Sequence, residues 1–437
     1  MMRLEKIYAG ILAVIFAFII VHAPLTVWVG ATFPDVSDYI KSWKEALMLL
    51  ALPVGLVLIT RRKLWSQVAK DPLFYVILGY ALLHVLLVGA FFEGAVPTLI
   101  GLAVDLRYVL FFSLVYVLLL VNPIYRRLFI RIGLVGAAVV VGFATFQLFL
   151  PADILTTIGY GKNTIEPYLT VDKNPDYIRV NSTLRGPNPL GAYVSIVFAL
   201  LLAAWSKGII MVHRHKVYAG IVMACSVVAL WISYSRSALI AVAIGLGVVF
   251  AITYGPKLSK NAWISMAVVV CAVLGGFVVA RDTALVSNVI LHENPDGGSA
   301  ISSNDQHAES IAVGIERMIS QPFGAGVGST GSASLYSDSP IVIENQYLFI
   351  AHEVGWLGLL LFVSLFILVL QRLWHRRSDW LALGIFASGV GLGLIGLLQP
   401  VWVDDTVSIV WWGLAAIAIT RGDYGRTTAE QKTTRTA

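Results

Sequence analysis

Residues 217–253 read VYAGIVMACSVVALWISYSRSALIAVAIGLGVVFAIT. Two apolar runs, 217–234 and 236–253, flank one polar turn, Tyr234-Ser235-Arg236-Ser237. A helix rises about 1.5 Å per residue, and about 20 apolar residues cross the hydrocarbon core of a bilayer. Each run is therefore a membrane span, and the connection between them is very short. An arginine is left at the mouth of the pair, where a charge is costly unless it meets a cavity or a partner.

Outward from this pair the pattern repeats. The chain has 437 residues, of which 58% are apolar and only 13% charged; mean hydropathy is +0.81. An ordinary soluble domain carries roughly 25% charged residues. Two cysteines and no Cys/His cluster complete the picture. A soluble enzyme, a disordered chain, a disulfide scaffold and a zinc module are excluded. Twelve apolar stretches lie near 7–30, 44–60, 72–91, 97–121, 129–149, 189–206, 217–234, 236–253, 263–280, 342–369, 380–399 and 405–420. The expected fold is all-α: one polytopic membrane domain over 1–437, with about 12 transmembrane helices. The first stretch follows Lys6, runs too long for a signal peptide and lacks a small-residue cleavage site, so it is expected to stay as an anchor.

Charge sets the orientation. With the N-terminus in the cytoplasm, alternate connections hold 21 of the 31 basic residues, including Arg61, Arg62, Lys63, Arg126, Arg127, Arg131, Arg372, Arg376 and Arg377. Only five of the 25 acidic residues share that side: Glu5, Asp71, Asp379, Asp423 and Glu430. This follows the positive-inside rule and places both termini in the cytoplasm. It also accounts for the +6 net charge without any nucleic acid. The polar tail 421–437 reads as a cytoplasmic, disordered end. The cytoplasmic connections are short and contain no P-loop or GxGxxG. The opposite, extracytoplasmic side carries two long loops, 150–188 and 281–341, expected to hold short helices. Connections this long are usually functional or disordered. Cys225 and Cys271 fall inside spans and read as packing residues.

Ten cations remain on the extracytoplasmic side or at membrane depth. Arg236 either points into an outward cavity to bind an anion or snorkels to headgroups of the membrane lipids. Arg179 and Arg185 lie in YIRVNSTLRGPNPLG, 177–191, which ends a long loop and opens a helix. Asn188 suits the N-cap there and Pro189 the first turn. A helix N-terminus with two arginines favours anions; the plainer alternative is a helix start with arginines on lipid headgroups. Arg107 follows Asp105 within a span, as an internal ion pair or a functional charge. Asn181-Ser182-Thr183 matches a glycosylation sequon, a pattern common by chance. Arginine binds phosphate bidentately without changing protonation. Outward arginines without nucleotide motifs point to a lipid-linked phosphate or diphosphate.

The second long loop contains ESIAVGIERMI, 309–319, with Ile311, Ile315, Met318 and Ile319 at helical spacing. It reads as an amphipathic helix on the membrane surface. QPFGAGVG follows at 321–328, and alternate glycines including Gly324 and Gly326 allow tight turns and close backbone approach. Glu344, Asn345, His352 and Glu353 then enter an otherwise apolar helix, 342–369. At 100° per residue Glu344 and His352 differ by about 80°, so they can line one cavity or satisfy one another as buried polar packing. Asp404-Asp405 at a helix mouth reads as an N-cap or solvated loop, with a cation site as the alternative.

Together these pieces resemble the O-antigen ligase and O-antigen polymerase superfamily. The matching features run in order: Arg179 followed by Ser-Thr and Pro-Asn-Pro-Leu-Gly to 191; Ser235-Arg236-Ser237; the helix with Pro322-Phe323-Gly324-Ala325-Gly326; and Asn345-Gln346-Tyr347-Leu348 leading to Glu353-Val354-Gly355-Trp356-Leu357-Gly358. The likeness is detailed over roughly 179–361. It implies inverting, metal-independent glycosyl transfer at the outer face of the bacterial inner membrane, with no cofactor. The implied donor is a glycan on undecaprenyl diphosphate, and the acceptor a glycan or lipid A-core hydroxyl. Arg179 and Arg236 would hold the diphosphate, with Arg185 an added candidate. Glu344 is the first candidate base and His352 the second; Asn188, Gly324, Gly326, Asn345, Tyr347 and Glu353 would support them. Ligases of the family usually carry His where this chain has Glu344, and polymerase-like members vary more there. A twelve-span transporter or flippase of lipid-linked glycans and a scaffold for envelope assembly are the rivals. Repetition of the motifs between the halves, a mark of many transporter folds, is not seen.

Overall fold

A computed structural model describes residues 2–293 and 303–420. The expected tail, 421–437, and residues 294–302 of the second long loop lie outside the described residues.

All twelve apolar stretches fold as helices. Among the described residues, ten are long and apolar enough to cross a membrane: α1 (Met2–Thr32), α2 (Trp43–Arg61), α3 (Pro72–Ala90), α4 (Ala95–Val121), α5 (Pro123–Gln147), α6 (Pro187–Ser206), α7 (His213–Ser233), α8 (Arg236–Thr253), α9 (Lys260–Val279) and, after the loop helix α10 (Ser303–Ser320), α11 (Gln346–His375). Two shorter apolar helices, α12 (Trp380–Ile395) and α13 (Asp405–Ile419), complete the set. The protein is an all-α polytopic membrane protein.

The helix starts follow local chemistry. Asp71 caps α3, with Pro72 in its first turn, Asp379 caps α12 and Asp404 caps α13, each side chain accepting from backbone N–H groups that the first turn leaves unpaired. The shortest of these helices is the most deeply placed: all 15 residues of α13 are buried. It packs against α4, and its Trp411 and Trp412 meet Trp402 with ring centroids 5.1–5.7 Å apart. A second nucleus is the trio α6, α8 and α12. Small residues bring these backbones together: a Cβ on Gly191 would lie 2.5 Å from Ala238 Cβ, and one on Gly391 2.8 Å from the Ala241 carbonyl. In a bilayer such close approach supplies the dispersion contacts that hydrophobic burial cannot.

Both long loops lie at one end of the bundle. The first was expected to carry only short helices. It holds a 3₁₀ turn, Ile154–Ile158, and also an antiparallel hairpin of β1 (Leu169–Val171) and β2 (Asn174–Arg179). The second contains a short π-helical turn, Leu285–Leu291, then α10, whose expected start at 309 is six residues late.

The charged residues at membrane depth are paired: Asp404 serves as the N-cap that was one reading of it, and Arg107 has an internal partner other than its neighbour in sequence. Arg107 does not pair with Asp105, because residues two apart on a helix point to different faces. Arg107 instead pairs with Asp405 and donates to the Val403 carbonyl. Asp405 is neither solvated nor open to a cation. It is 2% exposed and also meets His22 Nε2 at 2.8 Å and Lys44 Nζ at 3.1 Å. The network ties α1, α2, α4 and α13 together at the loop end, so these cations are structural.

Candidate functional site

Two arginines converge at the loop end of α6, α7 and α8. Pairing of Val180 N with the Ile232 carbonyl at 3.3 Å pins the hairpin to the end of α7. Arg179 Nε then donates to the Ser233 carbonyl at 2.8 Å, and its Nη2 to Asn188 Oδ1 at 2.6 Å. Asn188 was expected to cap α6, but the helix begins at Pro187, which frees the Asn188 amide for the arginine. One residue past α7, Tyr234 adopts a left-handed conformation (φ 46°), and α8 starts at Arg236. The Arg236 guanidinium donates to the Leu291 carbonyl at 3.1 Å and to Asn304 Oδ1 at 2.8 Å. A guanidinium has five N–H donors, so each arginine has donors to spare among the described residues.

The surroundings are electropositive. Burial and the neighbouring Arg236 pull the Arg179 guanidinium down to about 10, with Asp172 partly opposing. His292 is 5% exposed, and burial followed by the fields of Arg236 and Arg179 pushes its imidazole down to about 3. It is therefore neutral beside two cations, with Asp172 Oδ2 4.0 Å from its Nδ1. Such an arrangement can hold an anion with more than one charge.

A carboxylate stands on the same patch. Glu344 Oε2 is 2.5 Å from His307 Nδ1, and this hydrogen bond holds the Glu344 carboxyl below its ordinary range. His307 is three residues from Asn304, so one face of α10 carries the Arg236 partner and the Glu344 partner together. Glu344 was expected inside the helix. It sits two residues before α11, because Asn345 caps that helix by accepting from Tyr347 N and Leu348 N.

Arg185 is exposed and makes no hydrogen bond or ion pair among the described residues; its field falls on Asp404 and His22. Asn345 Nδ2 donates to the Leu397 carbonyl at 2.8 Å, and Tyr347 Oη to the Gly393 carbonyl at 2.7 Å, so both lock α11 to the end of α12. Asn181 of the sequon is 1% exposed and donates to the Glu166 carbonyl, so it is occupied inside the fold.

The glycine loop is a built structure. α11 breaks at Gly355 (φ 69°, ψ −172°). The break frees the His352 and Glu353 carbonyls, which accept from Ala325 N at 2.6 Å and Gly326 N at 3.1 Å, while Trp356 N donates to the Pro322 carbonyl at 2.9 Å. The loop fits because Gly324 (φ 87°) lies against Glu353: a Cβ there would stand 2.6 Å from the carbonyl oxygen. Glu353 is 1% exposed and accepts from Thr330 N. His352 faces a different space from Glu344. It lines a polar cavity with Glu93 and Arg317, and ten residues of α10, about 15 Å of helix, separate Arg317 from His307.

Sequence reading missed Asp172, His292, Asn304 and His307. The last two fell outside because α10 was started too late; the helical spacing alone did not reach them.

Residues 221–363 match the family model described as O-antigen ligase. That stretch runs from α7 to α11 and includes Arg236, His307, Glu344 and His352; Arg179 and Arg185 precede it. No curated protein matches the chain. Over that stretch, about a third of the chain, the polytopic helical bundle is similar to the O-antigen ligase family.

Proposed function

We propose that the protein transfers a glycan from a polyprenyl diphosphate, of the undecaprenyl type, to a sugar hydroxyl at the outer face of the bacterial inner membrane. The observation that carries this reading is the convergence of Arg179, Arg236 and the Glu344–His307 pair on one patch at the loop end. The bias of basic residues toward the opposite end turns this patch outward and both termini inward.

The acceptor hydroxyl oxygen attacks the anomeric carbon while the bond from that carbon to the diphosphate oxygen breaks. The hydroxyl proton passes to the Glu344 carboxylate, oriented by His307. Charge that builds on the departing diphosphate is met by Arg179 and Arg236, which act as fixed donors aimed at the leaving group. One displacement inverts the anomeric centre. The arginines thus supply the positive charge that other phosphate sites draw from a metal. His352 stands apart from this step, and Arg185 is a rim charge.

The test is incubation of purified protein with undecaprenyl-diphosphate-linked oligosaccharide and either a second lipid-linked repeat or a lipid A-core acceptor. A ladder of products identifies a polymerase and a single addition a ligase. A transporter forms no glycosidic bond, and that outcome overturns the proposal.

A further inference from the structure

The cavity that holds His352 has a volume of about 400 Å³ and a wall quite unlike the arginine patch. Glu93, from the turn between α3 and α4, Arg317 near the end of α10, Asp338 and Tyr336 from the following loop, and Ser329 from the glycine loop line it. His352 forms its floor and is 0% exposed. Apart from an approach to the Ser329 backbone, neither ring nitrogen has a hydrogen-bond partner. Glu93, Arg317 and Asp338 form no ion pairs among the described residues. A buried imidazole without partners costs free energy unless a ligand supplies them.

The charges decide the ligand class. The arginine patch suits a polyanion. Here two carboxylates outnumber one arginine, which repels an anion, while carboxylates, imidazole and hydroxyls together accept from and donate to neutral hydroxyl groups. An exposed aromatic ring, Tyr336, adds an apolar face of the kind a sugar ring stacks on. From these features we infer that the cavity is a second binding site, for an uncharged saccharide residue, and that His352 contacts its hydroxyls. The inference rests on the glycan-transfer reading for the identity of the ligand. The loop helix α10 connects the two places: Asn304 and His307 at one end touch Arg236 and Glu344, and Arg317 at the other lines the cavity. A glycan lying along α10 reaches from the cavity toward the arginine patch.

The experiment separates binding from transfer. The cell's own lipid-linked oligosaccharide, freed of its diphosphate by mild acid, is titrated calorimetrically into full-length protein in nanodiscs. Binding should weaken at least tenfold in His352→Leu and in Asp338→Asn, the second being a loop change that leaves the helices intact. It should hold within about twofold in Arg236→Ala. Equal binding in all four proteins, or loss in Arg236→Ala alone, overturns the inference. Because this readout needs no catalysis, it stands or falls separately from transfer. In the transfer assay a raised KM for the acceptor marks the acceptor chain as occupant, and a raised KM for the donor marks the donor glycan; a fall in kcat with both KM values unchanged contradicts a binding role.

Discussion

At the residue scale, the protonation of one carboxyl sets the acid side of the pH–rate profile. The hydrogen bond from His307 holds the Glu344 carboxyl below its ordinary range. A base works deprotonated, so transfer by Glu344 is lost only as pH falls through that lowered value, and the rate should show no acid limb between pH 5 and 8. An acid limb inside that window would contradict Glu344 as the base. A pH–rate profile of purified protein on the acid side reads this directly. A second prediction concerns Arg179, which is held by two hydrogen bonds and sits in a crowded electropositive pocket. Arg179→Lys keeps the charge but loses the planar fork. It should lower kcat/KM for the lipid-linked donor roughly 10–100-fold, about 1.4–2.7 kcal/mol of transition-state binding; a value within twofold of wild type would show that charge alone suffices.

At the element scale, the break in α11 and the glycine loop form one unit. Gly324→Ala forces a Cβ to within 2.6 Å of the Glu353 carbonyl at a positive φ. It should destabilise by about 1–3 kcal/mol, seen as a lower midpoint in thermal unfolding in detergent. Gly142→Ala in α5, where a Cβ meets nothing within 4 Å, serves as the control and should match or slightly exceed wild type. The loop shows what sequence reading reaches. Gly324 and Gly326 were legible as positions of close backbone approach, because only glycine serves there. The partner was not: nothing in Val354-Gly355-Trp356 says that the helix opens to receive a loop some thirty residues earlier. Helix starts show the same limit. Asn188 was read as a cap and Asn345 as a residue within its helix; in the structure Asn345 is the cap, and Asn188 is taken by Arg179 from a different element.

At the scale of the molecule, hydropathy made the twelve helices legible, because each span must satisfy its backbone internally whatever its neighbours do. Contacts between distant segments were not legible. Arg107 finds Asp405, 298 positions away, and Glu344 finds His307 across a loop. Local spacing carries no trace of either. The Asp405 network gives a global prediction. Asp405→Asn leaves Lys44 and Arg107 buried without their carboxylate, and breaking a buried pair in this way costs about 3–5 kcal/mol. The variant should unfold at markedly lower temperature while any assembled fraction keeps its donor affinity, since no residue of the network touches the arginine patch.

The central claim is that one patch both holds the diphosphate and activates the acceptor. Single-turnover transfer from a lipid-diphosphate-linked glycan by wild type, Arg236→Ala and Glu344→Gln tests it most directly. The account predicts that Glu344→Gln slows the chemical step by about 10²–10⁴-fold while donor binding is retained, and that Arg236→Ala weakens both. Transfer at the wild-type rate by either variant would contradict it.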